Sequence, residues 1–198
     1  GRNALGREFL IPSQNVFINE NAMAQSREKV DIVATEDGTT LTINFNQAIH
    51  NFVGKPNDVS SFTVTLNKGQ TFVLRSNSQD VQDHLGGIFI ESNKAIAVTI
   101  SDDSIKESGR GHYDLTGDQL IPINIAGTSY IAVHPSHGTP YQSQYGNTSN
   151  SSVSNQVFIW PVGDPTVIKI NGTAVKEGGG GEKMFSKGQF HVEQISKN

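Results

Sequence analysis

Apolar and polar residues alternate along this chain with a period of two, in short runs separated by turn residues. "KVDIVATE" alternates Val30, Ile32 and Ala34, and "TTLTINF" alternates Leu41, Ile43 and Phe45. Such alternation predicts half-buried strands, because successive side chains on a strand point to opposite faces. Asp37-Gly38 between the two runs predicts a tight hairpin. "SFTVTL" and "QTFVLRS" are separated by Asn67-Lys68-Gly69, which predicts a second hairpin with Gly69 in the left-handed region. "GGIFIES" and "KAIAVTIS" follow as two strands broken at Ser92-Asn93. Further on come "NQVFIWPV", a turn at Gly163-Asp164-Pro165, "TVIKI", and Asn171-Gly172, the strongest hairpin signal in the chain. "TAVKE" is expected to pair back there; Gly178–Gly181 break the pattern and "GQFHVEQI" ends it.

The two halves can be laid side by side. "DIVATEDGTTLTIN" (31–44) sets against "FIWPVGDPTVIKIN" (158–171), matching Asp37 with Asp164, Thr39 with Thr166 and Ile43 with Ile170. Lys-Gly-Gln occurs at 68–70 and again at 187–189, and "LGREFLIP" (5–12) sets more loosely against "AGTSYIAV" (126–133). These matches predict two diverged copies of one β unit, residues 1–117 and 118–198. The second copy has no counterpart of "ESNKAIAVTI", so it is expected to be incomplete, inside a larger repeating protein or with an early strand filling the gap. The expected fold is all-β, an antiparallel β-sandwich (jelly-roll-like) made of these two repeats.

Composition agrees with strands. Of 198 residues only 17% are charged and 20 are glycine, and no window sustains helical spacing. A chain of this length can bury roughly 70% of its unfolded surface and needs no staples. There are no cysteines, which excludes disulfides, thiolate zinc and cysteine nucleophiles. A net charge of −4, with basic residues scattered singly, argues against nucleic acid and against a polybasic membrane patch. No apolar run is long enough to span a membrane, so no membrane insertion is expected. The chain opens Gly-Arg-Asn, which reads as a mature or trimmed form whose signal peptide has been removed.

Candidate chemistry is thin. Asp102, Asp103, Asp114 and Asp118, with Glu107 and His112, gather in one stretch. Calcium would need six to eight oxygens there, but no Asp-x-Asp-x-Asp-Gly pattern is present and turn chemistry explains the acids. His134 and His137 flank Pro135-Ser136 at a spacing that suits two ligands of one zinc, and no third ligand is nominated. No metal or cofactor is therefore assigned. Serines are many but none sits in Gly-x-Ser-x-Gly, and Ser136 beside His134 is no triad. The glycine run at 178–181 lacks the Lys-Ser/Thr of a phosphate cradle. Asn147 and Asn171 match the glycosylation sequon. The segment 136–156 is long for a loop and sets Tyr141 and Tyr145 among Ser, Asn, Gly and Gln. Rigid aromatics among adaptable polar groups are what antibody loops use for contact, so Tyr141 and Tyr145 are the candidate ligand-binding residues.

"LGREFLIPSQ", "VDIVATEDGTTLTI", "FTVTLNKGQTFVLRS", "IESNKAIAVTISDDS" and "YDLTGDQLIP" together resemble the IgGFc-binding protein amino-terminal domain family, nearest its bacterial extracellular members. The resemblance implies a β-sandwich repeat module of a secreted or surface protein. Animal members carry cysteines and this chain has none, so antibody Fc binding does not follow for it. The expected function is a non-catalytic adhesion or binding module that recognises a host extracellular protein or glycan. The alternatives are a structural spacer, or a carbohydrate-binding accessory module that would expose Trp160 or the tyrosines on a concave face.

Overall fold

The computed structural model describes residues 4–20, 25–106, 113–132 and 155–195. Their regular secondary structure is almost entirely strand, and every pairing is antiparallel, as the alternation predicts. The main sheet has eight strands: β1 (Gly6–Leu10), β2 (Ile18–Asn19), β3 (Glu28–Ala34), β4 (Thr39–Asn44), β5 (Ser61–Leu66), β6 (Thr71–Arg75), β7 (Phe89–Lys106) and β8 (Asp114–Gln119). β8 spans residues 117 and 118 and belongs to this sheet. No helix among the described residues is long and apolar enough to cross a membrane.

β7 is the spine. Sequence alone predicts a break at Ser92-Asn93, but β7 runs unbroken for 18 residues and changes partners along its length. Phe89–Ser92 pairs with β4, and Ile96–Asp102 pairs with β3. On its other side β1 takes the first part and β8 the second. The sheet thus folds into two leaves, with β5 beyond β4 in one and β6 beyond β3 in the other. Both leaves contribute to one core, among it Phe9, Val30, Ile32, Leu41, Ile43, Leu74, Ile90 and Val98. β5 and β6 do not pair, yet Phe62 and Phe72 meet edge to face with centroids 6.0 Å apart, closing the core on that side.

This corrects the two predicted hairpins. β3 does not pair with β4, nor β5 with β6, because each finds its partner elsewhere. The turns at 35–38 and 67–70 are corners that carry the chain from one leaf to the other. Their glycines do adopt the left-handed region, Gly38 at φ 63° and Gly69 at φ 81°. Side chains replace the missing ladder. The Lys68 amide donates to Asp37 (3.0 Å), the Gly38 amide to Asn67 (3.2 Å) and the Thr40 amide to Asn93 (2.8 Å). Asp and Asn suit such positions because their short side chains satisfy backbone donors locally.

The remaining strands are β9 (Asn155–Ile159), β10 (Thr166–Val167), β11 (Lys169–Ile170), β12 (Thr173–Ala174), β13 (Met184–Phe185) and β14 (His191–Ile195). β11 and β12 form the hairpin expected at Asn171-Gly172, with φ of 49° and 82°. β9 pairs with β14 and β10 with β13.

The registers of the β9–β14 and β10–β13 ladders match the first sheet, whereas that of the β11–β12 hairpin does not. Superposing Asp37 on Asp164 sets Ile32 against Ile159 and Thr39 against Thr166. Superposing the Lys-Gly-Gln phrases sets Phe72 against His191 and Leu66 against Phe185. In the fold Ile32 stands opposite Phe72 and Ile159 opposite His191. Thr39 likewise stands opposite Leu66, and Thr166 opposite Phe185. The two Lys-Gly-Gln turns also share geometry. The Asn67 amide donates to Gln70 Oε1 (2.6 Å) and the Ser186 amide to Gln189 Oε1 (2.8 Å). Gly69 and Gly188 have φ of 81° and 79°. In each case the glutamine side chain folds back to cap the turn.

Candidate functional site: a buried polar cluster beside an interlayer cleft

The inward rows of β3 and β7 each end on a carboxylate. Glu28 lies in phase with Val30, Ile32 and Ala34, and all four are buried. Asp102 lies in phase with Ile96 and Val98 and is 4% exposed. The register sets Glu28 directly opposite Asp102, so two acids face each other across the ladder. Like charges so placed repel.

Polar groups from three other segments close over them. Asp102 accepts from Gln14 Nε2 (2.8 Å) and from Asn19 Nδ2 (2.7 Å). His84 presents Nδ1 to the Gln14 carbonyl at 2.7 Å and Nε2 to Asn19 Oδ1 at 3.4 Å. Glu28 receives the Leu85 amide on one oxygen, and its other oxygen meets the Ser13 hydroxyl. Burial is the main cause that lifts the Glu28 carboxyl from its ordinary range to about 7, and the nearby His84 opposes the rise. Ser13 Oγ also lies 2.9 Å from the Gln14 carbonyl, which can only accept. One hydroxyl proton cannot serve both contacts. When Ser13 donates to Gln14, Glu28 must carry a proton and donate to Ser13, a geometry that fits the raised pKa.

His50 is a second buried histidine. Its Nδ1 accepts the Asn46 amide (2.9 Å) and its Nε2–H donates to the Gly86 carbonyl (2.9 Å). That pattern fixes the neutral Nε2–H tautomer, and burial lowers its pKa. His50 therefore holds Gly86 in place, which matters because Trp160 packs on that glycine. The Trp160 indole N–H donates to the Ser13 carbonyl (2.9 Å), and its ring lies 5.1 Å from Phe190 between centroids. The Lys187 ammonium sits 3.2 Å above the centre of the Phe89 ring. These contacts dock the β9–β14 ladder against the main sheet. A cleft of about 470 Å³ lies beside them, walled by Pro12, Phe17, Ile100, Ile105 and Phe158, with Gln14, Asp102 and Asp118 along its rim.

The arrangement joins segments of β3, β7 and the loops bearing Ser13, Asn19 and His84 around buried carboxylates. Ser13 meets Glu28 and His84 meets Gln14 and Asn19, so no serine–histidine pair forms within this cluster. The other acids disperse. Asp103 takes the Ser104 hydroxyl, and the exposed Asp114 and Asp118 accept the amides of Leu115 and Gln119. Among the described residues no three His, Asp or Glu side chains converge on a metal position. Tyr141, Tyr145, Ser136, His134, His137, Glu107, His112 and Asn147 lie outside the described residues. Glu28, Ser13, Gln14, Asn19 and His84 were not picked out from the sequence. For Glu28 a signal existed, since the alternation that buries Val30 and Ile32 also places Glu28 inside.

Comparison with known proteins follows from this fold. A crystal structure of Thermotoga maritima 1070 is similar at 22% identity, covering 58% of this chain and 91% of that one, with a TM-score of 0.35. No curated protein is similar enough to match. The family model described as IgGFc binding protein matches residues 2–198, and the chain belongs to that family.

Proposed function

We propose that this chain is a non-catalytic binding module of a secreted or surface-exposed bacterial protein, recognising a host extracellular protein or glycan. The family match over residues 2–198 carries this reading, because the family is an extracellular, non-enzymatic binding one. The proposed contact element is the segment 136–156, through Tyr141 and Tyr145. Binding would rest on buried area around a few aromatic anchors rather than on bond chemistry.

The test is a screen of the chain against glycan arrays and host extracellular proteins, immunoglobulin Fc among them. Tyr141→Ala with Tyr145→Ala is expected to weaken a hit at least tenfold. A hit that survives the double variant sinks the tyrosine contact, and the absence of any hit sinks recognition altogether.

A second reading, a spacer that holds a neighbouring domain away from the cell, is favoured by the docking of Trp160 on Gly86 and Lys187 on Phe89. Contacts of that kind tie the β9–β14 ladder to the main sheet. The carbohydrate-binding alternative loses its Trp160 platform, since that indole is committed to packing on Gly86.

A further inference from the structure

We infer that Glu28 is the catch of a pH-operated latch: its neutral carboxyl holds the seat of Trp160 together, and loss of its proton lets the β9–β14 ladder open from the main sheet. One carboxyl group ties both sides of that seat. The Ser13 carbonyl accepts the indole N–H, and the Ser13 hydroxyl meets one oxygen of Glu28. Gly86 lies against the indole ring, and its chain neighbour Leu85 gives its amide to the other oxygen. A change at Glu28 is therefore felt at both places that hold Trp160.

The surroundings suit a neutral acid better than a charged one. Glu28 is fully buried, and Asp102, opposite it on β7, is 4% exposed. The segment after β1 brings Ser13, Gln14 and Asn19, which carry no charge. The residue after β6 is Ser76, also uncharged, whose amide donates to the Glu28 carbonyl at 3.0 Å. Lys29, next to Glu28 on β3, lies in the opposite phase of the strand. Among the described residues His84 is the group beside Glu28 that can turn positive, and its nitrogens already face the Gln14 carbonyl and Asn19 Oδ1.

An ionised Glu28 takes the Ser13 proton away from the Gln14 carbonyl and sets a second carboxylate against Asp102. A buried charge without a partner draws in water. Leu85, on one side of the carboxyl, is fully buried, whereas Ser13 belongs to a surface segment with Pro12 and Val16 exposed. Water therefore reaches the carboxylate most cheaply by lifting Ser13, and Trp160 then loses its acceptor. Burial, the main cause that raises Glu28 from 4.5 to about 7, is relieved when Ser13 lifts. The latch is thus shut below pH 4.5, and its opening grows as pH rises towards 7 and levels off above it.

Hydrogen exchange of the whole chain at acid and alkaline pH is the test. From about pH 5 to about pH 8, protection of the Trp160 indole N–H and the β9 amides is expected to fall at least ~10-fold. On the alkaline side it should also lie at least ~10-fold below that of the β4 and β5 amides, because only the ladder opens. Glu28→Gln leaves His50, His84 and His191 to titrate and is expected to abolish the fall. Asp102→Asn, a second variant that removes the facing charge, is expected to shrink the fall roughly twofold. No fall in the native chain, a fall that persists in Glu28→Gln, or equal protection of ladder and main sheet at alkaline pH would overturn the inference.

Discussion

Gly86→Ala will shift the emission of Trp160 to the red and detach the β9–β14 ladder from the main sheet. A methyl group at Gly86 would lie 2.4 Å from the indole ring and 3.0 Å from Ser13 Cβ. The ring cannot slide aside cheaply, because its N–H is bonded to the Ser13 carbonyl and its face is packed on Phe190. Nor does the backbone forgive the change, since His50 pins the Gly86 carbonyl from behind. Overpacking of this kind costs roughly 1–3 kcal/mol. Here the cheapest relief is undocking, so the loss falls on the contact between the two parts rather than on the core. Trp160 is the one tryptophan in the chain, which makes its fluorescence a clean reporter. In a Trp160→Ala background the Gly86 substitution is expected to cost little, giving a coupling energy above ~1 kcal/mol in the double-mutant cycle. Unchanged emission together with additive costs would show that the docking contact is not where the geometry places it.

The second large effect concerns pH. Glu28 titrates at about 7 in the fold against an ordinary 4.5, so the folded state holds a proton that the unfolded chain gives up. The contribution of this group to stability is intact below pH 4.5 and is lost as pH rises towards 7. The slope is about −1.4 kcal/mol per pH unit across that window and flattens above it. The accumulated cost is a few kcal/mol. Glu28→Gln keeps the shape and the bond from the Leu85 amide while removing the titration. Denaturant titrations should find the two proteins about equally stable near pH 4. At pH 8 the variant should be more stable by ~2–3 kcal/mol. A stability difference that stays constant from pH 4 to pH 8 would show that Glu28 does not titrate in this range.

The strands were legible because a period of two survives in short windows. "KVDIVATE" and "TTLTINF" became β3 and β4 with inward positions as the alternation requires. Partnership was not legible. Asp37-Gly38 and Asn67-Lys68-Gly69 carry the glycine angle that a hairpin needs, and a corner between two leaves needs the same angle. Only the long strand β7, which competes for β3 and β4, decides between them, and that competition is nonlocal. Ser92-Asn93 misled for a related reason: polar residues that break a strand in isolation here mark the point where β7 passes from one partner to the next.

The buried cluster was half legible. Glu28 and Asp102 sit in inward phase, but acids at strand ends are ordinarily read as turn residues. Gln14, Asn19 and His84 reach them from segments without periodicity, so nothing local announces the network. The superposition of the halves fits some registers and not others: Ile159 opposite His191 and Thr166 opposite Phe185 agree with it, and Lys169 opposite Ala174 does not.

That correspondence of registers is the central claim, and cysteine pairing tests it most directly in a chain with no cysteine of its own. Ile159→Cys with His191→Cys places two thiols on directly opposed residues of one face. Phe158→Cys with His191→Cys differs by one residue and puts the thiols on opposite faces. The account predicts that the first pair oxidises rapidly to an intramolecular disulfide and that the second stays reduced under the same conditions. Oxidation of the second pair as fast as the first, or faster, would contradict it.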